Sequence, residues 1–277
     1  MILQGYDNFR EESEDYLKAL DKKYTRTKGI AYTPEWIAEH ITATAFKQWS
    51  RFNRGKVPNS ACDLSCGTGV FIKEIISEIE RSGDKTKITA FDIDAGALRI
   101  ASSFFSKHPN VANIEEKDTL LDIDSLSDDE HEAYDIIVGN PPYVNHKQLN
   151  QDYKQILTKN YICANSGVFD LSVVFVEKAL NSLNPGGVAS LILSNKFMTS
   201  RYGCFICDLL ATKCNVIKIE DFNDIQLFKG LTTYTCILTF IKAKPAKKHT
   251  LARAIYETNN FVNRMPKMTE ETVSHDS

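Results

Sequence analysis

No run in the 277 residues is apolar for the roughly 20 positions that a membrane helix needs. The opening Met1 to Asp7 has neither the basic start nor the apolar core of a secretory signal. Excess positive charge is absent too. Lys and Arg number 33 against 36 Asp and Glu, a net charge of -3. That excludes a chain that holds nucleic acid by overall charge, although local basic patches remain open. There is no cysteine framework, because the seven cysteines are odd in number and scattered through apolar surroundings. They read as reduced, mostly buried thiols of a cytoplasmic protein. Cys204 and Cys207 form a C-x-x-C, but Phe205, Ile206, Leu209 and Leu210 around them mark one face of an amphipathic helix, not a redox or zinc pair. Internal repeats and low-complexity tracts are missing. So is the six-residue dinucleotide fingerprint, since Val70-Phe71-Ile72 follows Gly67-Thr68-Gly69 where a further glycine is expected.

What is present is an alternation of strand and helix signals. At 43% hydrophobic, the chain suits one large α/β domain, or one domain with a small appendage. Residues 1–28 read as a charged helix with Phe9, Tyr16, Leu17 and Leu20 as a thin apolar stripe, packed at the domain edge. Thr33-Pro34-Glu35 reads as a helix start with Thr33 as N-cap, and the helix runs to about Trp49. Strands are expected at 59–64, 88–94, 112–118, 134–139, 188–194, 215–222 and 232–241, and helices at 70–80, 95–107, 171–183 and 202–211. Residues 122–132 read as an acidic loop, and 144–167 as a polar, mobile crossover or lid. Pro185-Gly186-Gly187 is a tight turn. The last two strands lie too close for a helix between them and form an antiparallel hairpin. Residues 242–277, with the basic run Lys242, Lys244, Lys247 and Lys248, read as a solvated linker or tail. The expected fold is a doubly wound, mostly parallel seven-stranded sheet, whose ligands bind beyond the carboxyl ends of the strands.

Asp63, Asp92 and Asp118 end the first three expected strands. Asp92 follows the glycine turn by 25 residues, where an acid can accept both hydroxyls of a ribose. Each acid alone reads equally well as a solvated side chain, but three in register do not. The fourth strand stops at Asn140-Pro141-Pro142-Tyr143. Neither proline donates a backbone hydrogen bond, and each pushes its predecessor towards extended geometry. The result is a stiff loop offering an amide, two free carbonyls and a ring. Such a kit suits an amino group carried on a planar ring, and it contains neither a nucleophile nor a metal-ligand set.

This order of motifs resembles the adenine-specific DNA methyltransferases of restriction–modification systems, over roughly residues 29–241. The resemblance implies a Rossmann-like class I fold and S-adenosyl-L-methionine as cofactor. It places Asn140, Pro141, Pro142 and Tyr143 as the catalytic motif. Asp63, Ser65, Cys66, Gly67 and Gly69 become the cofactor loop, with Ser65 where a proline is common. Tyr32 and Thr33 belong to a motif touching the methionine end. Asp92 holds the ribose, Ile93 packs on the cofactor's adenine, Asp118 and its neighbour Thr119 contact that adenine, and Phe175 lines its pocket. Phe228 packs, with Tyr143, on the target base. The implied chemistry has the Asn140 side-chain oxygen and the Pro141 carbonyl accepting the two hydrogens of an exocyclic amine, so that its lone pair points at the methyl group. The base must leave the duplex to reach them.

The resemblance also implies a cytoplasmic enzyme of a bacterium or archaeon. Duplex recognition needs a large basic surface, so a separate specificity subunit or an absent recognition domain is expected to choose the site. Release-factor glutamine and ribosomal RNA methyltransferases share the Asn-Pro-Pro-Tyr motif and remain alternatives, as does an inactive cofactor-binding partner subunit. The Tyr32-Thr33-Pro34 motif and Phe228 favour DNA.

Overall fold

The computed structural model describes residues 8–20, 29, 32–123, 133–223, 225–228, 234–246, 248–254, 266 and 268–274. Most of the acidic stretch, Asp224, the 229–233 end of the expected hairpin turn and Lys247 lie outside the described residues.

One sheet organises the chain. Its order is β3-β2-β1-β4-β5-β7-β6-β8-β9. Parallel strands β1 (Ser60–Asp63), β2 (Lys87–Asp92), β3 (Val111–Glu116), β4 (Tyr134–Gly139) and β5 (Leu183–Ser194) form one half. β7 (Thr235–Ile241) runs antiparallel to β5 and to β6 (Asn215–Asp221), so the expected antiparallel pair is present, although it is not at the edge of the sheet. β4 is buried along its whole length, as its unbroken Tyr-Asp-Ile-Ile-Val-Gly run requires of a central parallel strand. The chain reverses its build direction between β1 and β4, and a crevice opens there at the strands' carboxyl ends.

Helices cover both faces. α1 (Phe9–Ala19), α2 (Glu35–Phe52), α3 (Val70–Ser82) and α4 (Ala95–Phe105) belong to one core, and α5 (Gln151–Asn160), α6 (Leu171–Asn181) and α7 (Gly203–Lys213) to the other. α2 buries Ile37, Ile41, Ala45 and Trp49, a spacing of about four that keeps one stripe on the sheet. Each such large side chain contributes roughly 1.5–3 kcal/mol on burial. The helices used as crossovers match their expected positions closely, because glycines at both ends of α3 and the Asp94 cap of α4 are local signals.

Five expectations change. The sheet has nine strands, not seven. The tail is not a solvated linker: β8 (Lys248–Ala254) pairs parallel with β6, and β9 (Met268–Ser274) pairs antiparallel with β8. Lys218 on β6 bridges Glu220 and, at 2.7 Å, Glu270 of β9, which adds a charge contact to the strand pairing that holds the extension. The polar crossover is folded. It holds α5 and two 3-10 turns, with Leu157, Tyr161, Cys163 and Phe169 buried. Glu177 accepts from the amides of Ile162 and Cys163 at 3.0 and 2.8 Å, which satisfies a turn that the composition had marked as loose. The Pro185-Gly186-Gly187 turn lies inside β5, as a register shift in its pairing with β4. Last, Thr33 does not cap α2. Pro34 is the N-cap residue, and the Thr33 hydroxyl is engaged elsewhere. Five of the seven sulfurs are buried, while Cys204 and Cys207 are exposed on α7. Among the described residues no helix is long and apolar enough to cross a membrane.

Gly203 opens α7 against the turn that ends β5. A Cβ there would stand 1.6 Å from the Phe197 carbonyl oxygen. Overpacking of this kind costs about 1–3 kcal/mol. Gly203→Ala is expected to lower Tm by about 5 °C, and an unchanged melting curve by calorimetry would contradict this.

Candidate functional site

The crevice between β1 and β4 deepens into a cavity of about 380 Å³. That lies within the range of small-molecule sites. Its floor is the turn after β1. The Gly67 amide donates to Asp92 Oδ2 at 2.7 Å, and the Asp94 amide donates to Asp92 Oδ1 at 2.9 Å. Asp92 therefore shapes the glycine turn as well as facing the cavity. Gly69, at φ +101°, starts α3 where a Cβ would press 2.8 Å from the Phe105 ring. Burial pushes the Asp92 carboxyl above its usual range, and the amides of Gly67 and Asp94 oppose that rise.

Most of the expected cofactor residues meet here. Tyr32, Thr33, Ser65, Cys66, Gly67, Asp92, Ile93, Asp118, Thr119 and Phe175 all line the cavity. Ile93 is 51% exposed, an apolar shelf at the cavity. Asp118 Oδ1 accepts from the Leu120 amide and from the Tyr153 hydroxyl. The Tyr32 hydroxyl is buried with no hydrogen-bond partner among the described residues, and burial pushes its pKa up to about 12. Asp63 and Gly69 are placed behind the wall rather than on it.

Asp63 is 1% exposed. Its Oδ1 accepts from the Ser65 amide at 3.0 Å, while Oδ2 has no partner. Burial first, and the charge of Asp92 after it, raise its pKa from 3.8 to about 8. A carboxyl raised in this way favours the folded state fully below about pH 4, and that contribution is lost as pH rises to about 8. Relative to Asp63→Asn, which stays neutral, the wild type is expected to lose unfolding free energy between pH 4 and 8.5. Parallel stability–pH curves for the two proteins, measured by urea titration, would refute that.

Beyond the cavity's other end stands the Asn140 loop. Asn140 and Pro142 line the wall, whereas Pro141 and Tyr143 do not. Asn140 Nδ2 donates to Thr33 Oγ1 at 2.9 Å, and the Tyr143 hydroxyl donates to Asn140 Oδ1 at 2.7 Å. The Tyr143 ring lies 6.0 Å from that of Phe228, tilted by 48°, and Phe228 is buried. Two aromatic rings thus close on each other beside an amide oxygen. Gly29, at φ +64°, rests on the Tyr143 backbone and accepts from its amide at 3.3 Å; a Cβ there would come within 2.7 Å of that backbone. The loop is thus braced by Gly29.

Other lining residues escaped the sequence. Tyr16 and Leu17 of α1 reach the cavity, and the Tyr16 hydroxyl donates to Asp94 Oδ1 at 2.7 Å. Phe9 anchors that helix edge-on against Phe104 and Phe105. α1 is therefore part of the cavity wall, not an edge ornament. Its thin stripe was visible, but the partner across it was not. Leu149, Asn150 and Tyr153 come from the crossover. The Asn150 side chain caps α5 and could have signalled that helix.

The cavity suits a molecule with a ribose, a flat ring and an anionic arm. Asp92 and Asp118 supply acceptors, Ile93 and Phe175 supply apolar faces, and the unpaired Tyr32 hydroxyl supplies a donor. With the sheet order described above, this is the fold of class I S-adenosylmethionine-dependent methyltransferases. A protein from Listeria monocytogenes described as a putative class I S-adenosylmethionine-dependent methyltransferase superposes with a TM-score of 0.68 at 16% identity, covering 91% of this chain and 74% of that one. A modification subunit of a putative type I restriction enzyme from Vibrio vulnificus gives 0.69 at 15%, over 96% and 58%. The chain belongs to the Eco57I restriction-modification methylase family, whose model matches residues 66–228. It is similar to the type II methyltransferase M.BanIII of Aneurinibacillus aneurinilyticus, at 26% identity over 264 residues, 90% of this chain and 44% of that protein. M.AccI of Acinetobacter calcoaceticus is 26% identical over 227 residues, 81% of this chain and 39% of that protein. The chain thus spans less than half the length of these relatives.

Proposed function

We propose that this chain carries the catalytic part of an adenine-specific DNA methyltransferase of a restriction–modification system. The observation that carries the reading is the Asn140 amide, held between Thr33 and Tyr143 at one end of a cavity fitted to S-adenosylmethionine. Residues 29–241 form the catalytic domain in this reading. The cofactor, when bound, supplies an electrophilic methyl group. Asp92 accepts from its ribose, Asp118 and Thr119 from its adenine, and Ile93 and Phe175 pack on that ring. Asn140 Oδ1 and the Pro141 carbonyl accept the hydrogens of the target amine, whose lone pair is otherwise delocalised into its base. Positioning is the main contribution to rate. Tyr143 stacks on the flipped base and Phe228 walls it in; stacking is worth about 1–3 kcal/mol per base in single-strand binders, which offsets part of the unpairing cost.

The net charge of -3 supports a division of labour. Duplex interfaces are strongly positive, so site choice falls to a specificity subunit or a further recognition domain. The test is tritium transfer from labelled S-adenosylmethionine, offering plasmid DNA, ribosomal RNA and release factor side by side. Nucleoside mass spectrometry then separates N6-methyladenine from N4-methylcytosine. Label confined to RNA or protein, or only methylcytosine in the DNA, would overturn the proposal.

A further inference from the structure

We infer that Tyr153, on the crossover helix α5, is a positioning residue for the cofactor's adenine: it fixes the Asp118 carboxylate so that one oxygen is held for the exocyclic amine of that ring. This rests on the placing of Asp118 against the adenine in the function proposed above.

Asp118 lies just beyond β3, is partly buried and lines the cavity. Its Oδ1 accepts from the Leu120 amide at 3.0 Å, a bond within its own turn. One donor on one oxygen leaves a carboxylate free to pivot. The Tyr153 hydroxyl meets the same oxygen from another element, at 3.3 Å. Both donors take Oδ1, so Oδ2 is the oxygen left to accept from a ligand. The neighbouring cation does not orient the acid, because Lys117 is paired with Asp122 at 2.7 Å. Burial, and the Asp118 charge after it, push the Tyr153 phenol well above its usual range, so its hydroxyl stays a donor.

α5 is shaped to brace this turn. Tyr153, Leu157 and Tyr161 recur every four residues, along one face of α5 and the residue that ends it. Leu157 and Tyr161 are buried in the core, and Tyr153 lines the cavity with Asp118. The Tyr161 hydroxyl donates to the Leu120 carbonyl at 2.9 Å, so two tyrosines of one face hold two points of the 118–120 turn. Thr119 Oγ1 donates to the Leu64 carbonyl at 3.1 Å, which ties the turn to the end of β1 as well. The acid is therefore set before a ligand arrives, and its ordering does not subtract from binding. A purine with an amine at its six position gains a hydrogen bond from Oδ2. One with a carbonyl there brings an acceptor against an acceptor.

The experiment titrates S-adenosylhomocysteine and S-inosylhomocysteine, whose ring carries the carbonyl, into the 277-residue chain. Wild type, Tyr153→Phe, Asp118→Ala and the double variant are compared by calorimetry. Wild type is expected to prefer the adenosyl ligand by at least about 10²-fold, since a site that hydrogen-bonds a donor rejects analogues lacking it. Tyr153→Phe keeps the ring and its packing. It is expected to weaken the adenosyl ligand by about tenfold or more, as for a hydrogen bond to a charged group, and to leave the inosyl ligand within about threefold. In the Asp118→Ala background the same change should move the adenosyl Kd by less than about threefold, because the two residues act as one. The inference is overturned by an unchanged adenosyl Kd in Tyr153→Phe, by equal weakening of both ligands, or by additive losses in the double variant. Wild-type binding by Asp118→Ala would remove both the acid's assignment and the role of Tyr153. Tritium transfer to DNA tests the proposed reaction separately, so a failure there leaves the binding result standing.

Discussion

Asn140→Ala is expected to abolish methyl transfer while leaving S-adenosylmethionine bound. The amide makes one hydrogen bond to Thr33 and accepts one from Tyr143, and neither shapes the glycine turn that floors the cavity. Removing a preorganised group that meets charge developing in a transition state typically costs 10²–10³-fold. In the function proposed above the same residue also orients the nucleophile, so the loss should reach at least about 10³-fold in kcat. Cofactor Kd, read by calorimetry, should stay within about threefold. Wild-type turnover in the mutant would remove Asn140 from the mechanism. A lost cofactor site with residual chemistry would move the residue to a purely structural role.

Asp92→Ala is expected to do the reverse. Its carboxylate holds two backbone amides, Gly67 at 2.7 Å and Asp94 at 2.9 Å, and it faces the cavity. Hydrogen bonds to a charged group contribute about 1.5–3 kcal/mol each. Losing the turn's two anchors along with the ribose acceptor should weaken cofactor binding by at least about 10²-fold. Asp92→Asn, which keeps one acceptor oxygen, should fall between. Equal cofactor affinity in wild type and Asp92→Ala, by isothermal titration, would show that the acid is merely solvated.

The parts of the fold that were legible are those whose signals are local. The Asp94 cap, the glycines around α3 and the apolar run of β4 each decide a few residues of backbone with little outside help. The acids at strand ends were legible for the same reason, since strand length and twist fix where they emerge. What escaped depends on distant partners. β9 has an exposed, polar pattern because an edge strand need bury little, so alternation gave no cue. The crossover carries polar residues, but Glu177 pays its backbone from another helix. Thr33 was misplaced by a sound rule. Threonine before proline and glutamate is a good N-cap on statistics alone. Asn140, 107 positions later, competes for the same hydroxyl and wins it.

The hydroxyl of Tyr143 has a consequence for selectivity. It takes up one of the two lone pairs of Asn140 Oδ1, the acceptor assigned to the target amine in the function proposed above. In that reading the protein carries its own competing donor, covalently tethered to the site. A nucleobase in that reading also offers a flat face to the Tyr143 ring, which water or a small amine lacks. In that reading the tyrosine hydroxyl is a competitor already in place, which a target amine meets on arrival at Asn140 Oδ1.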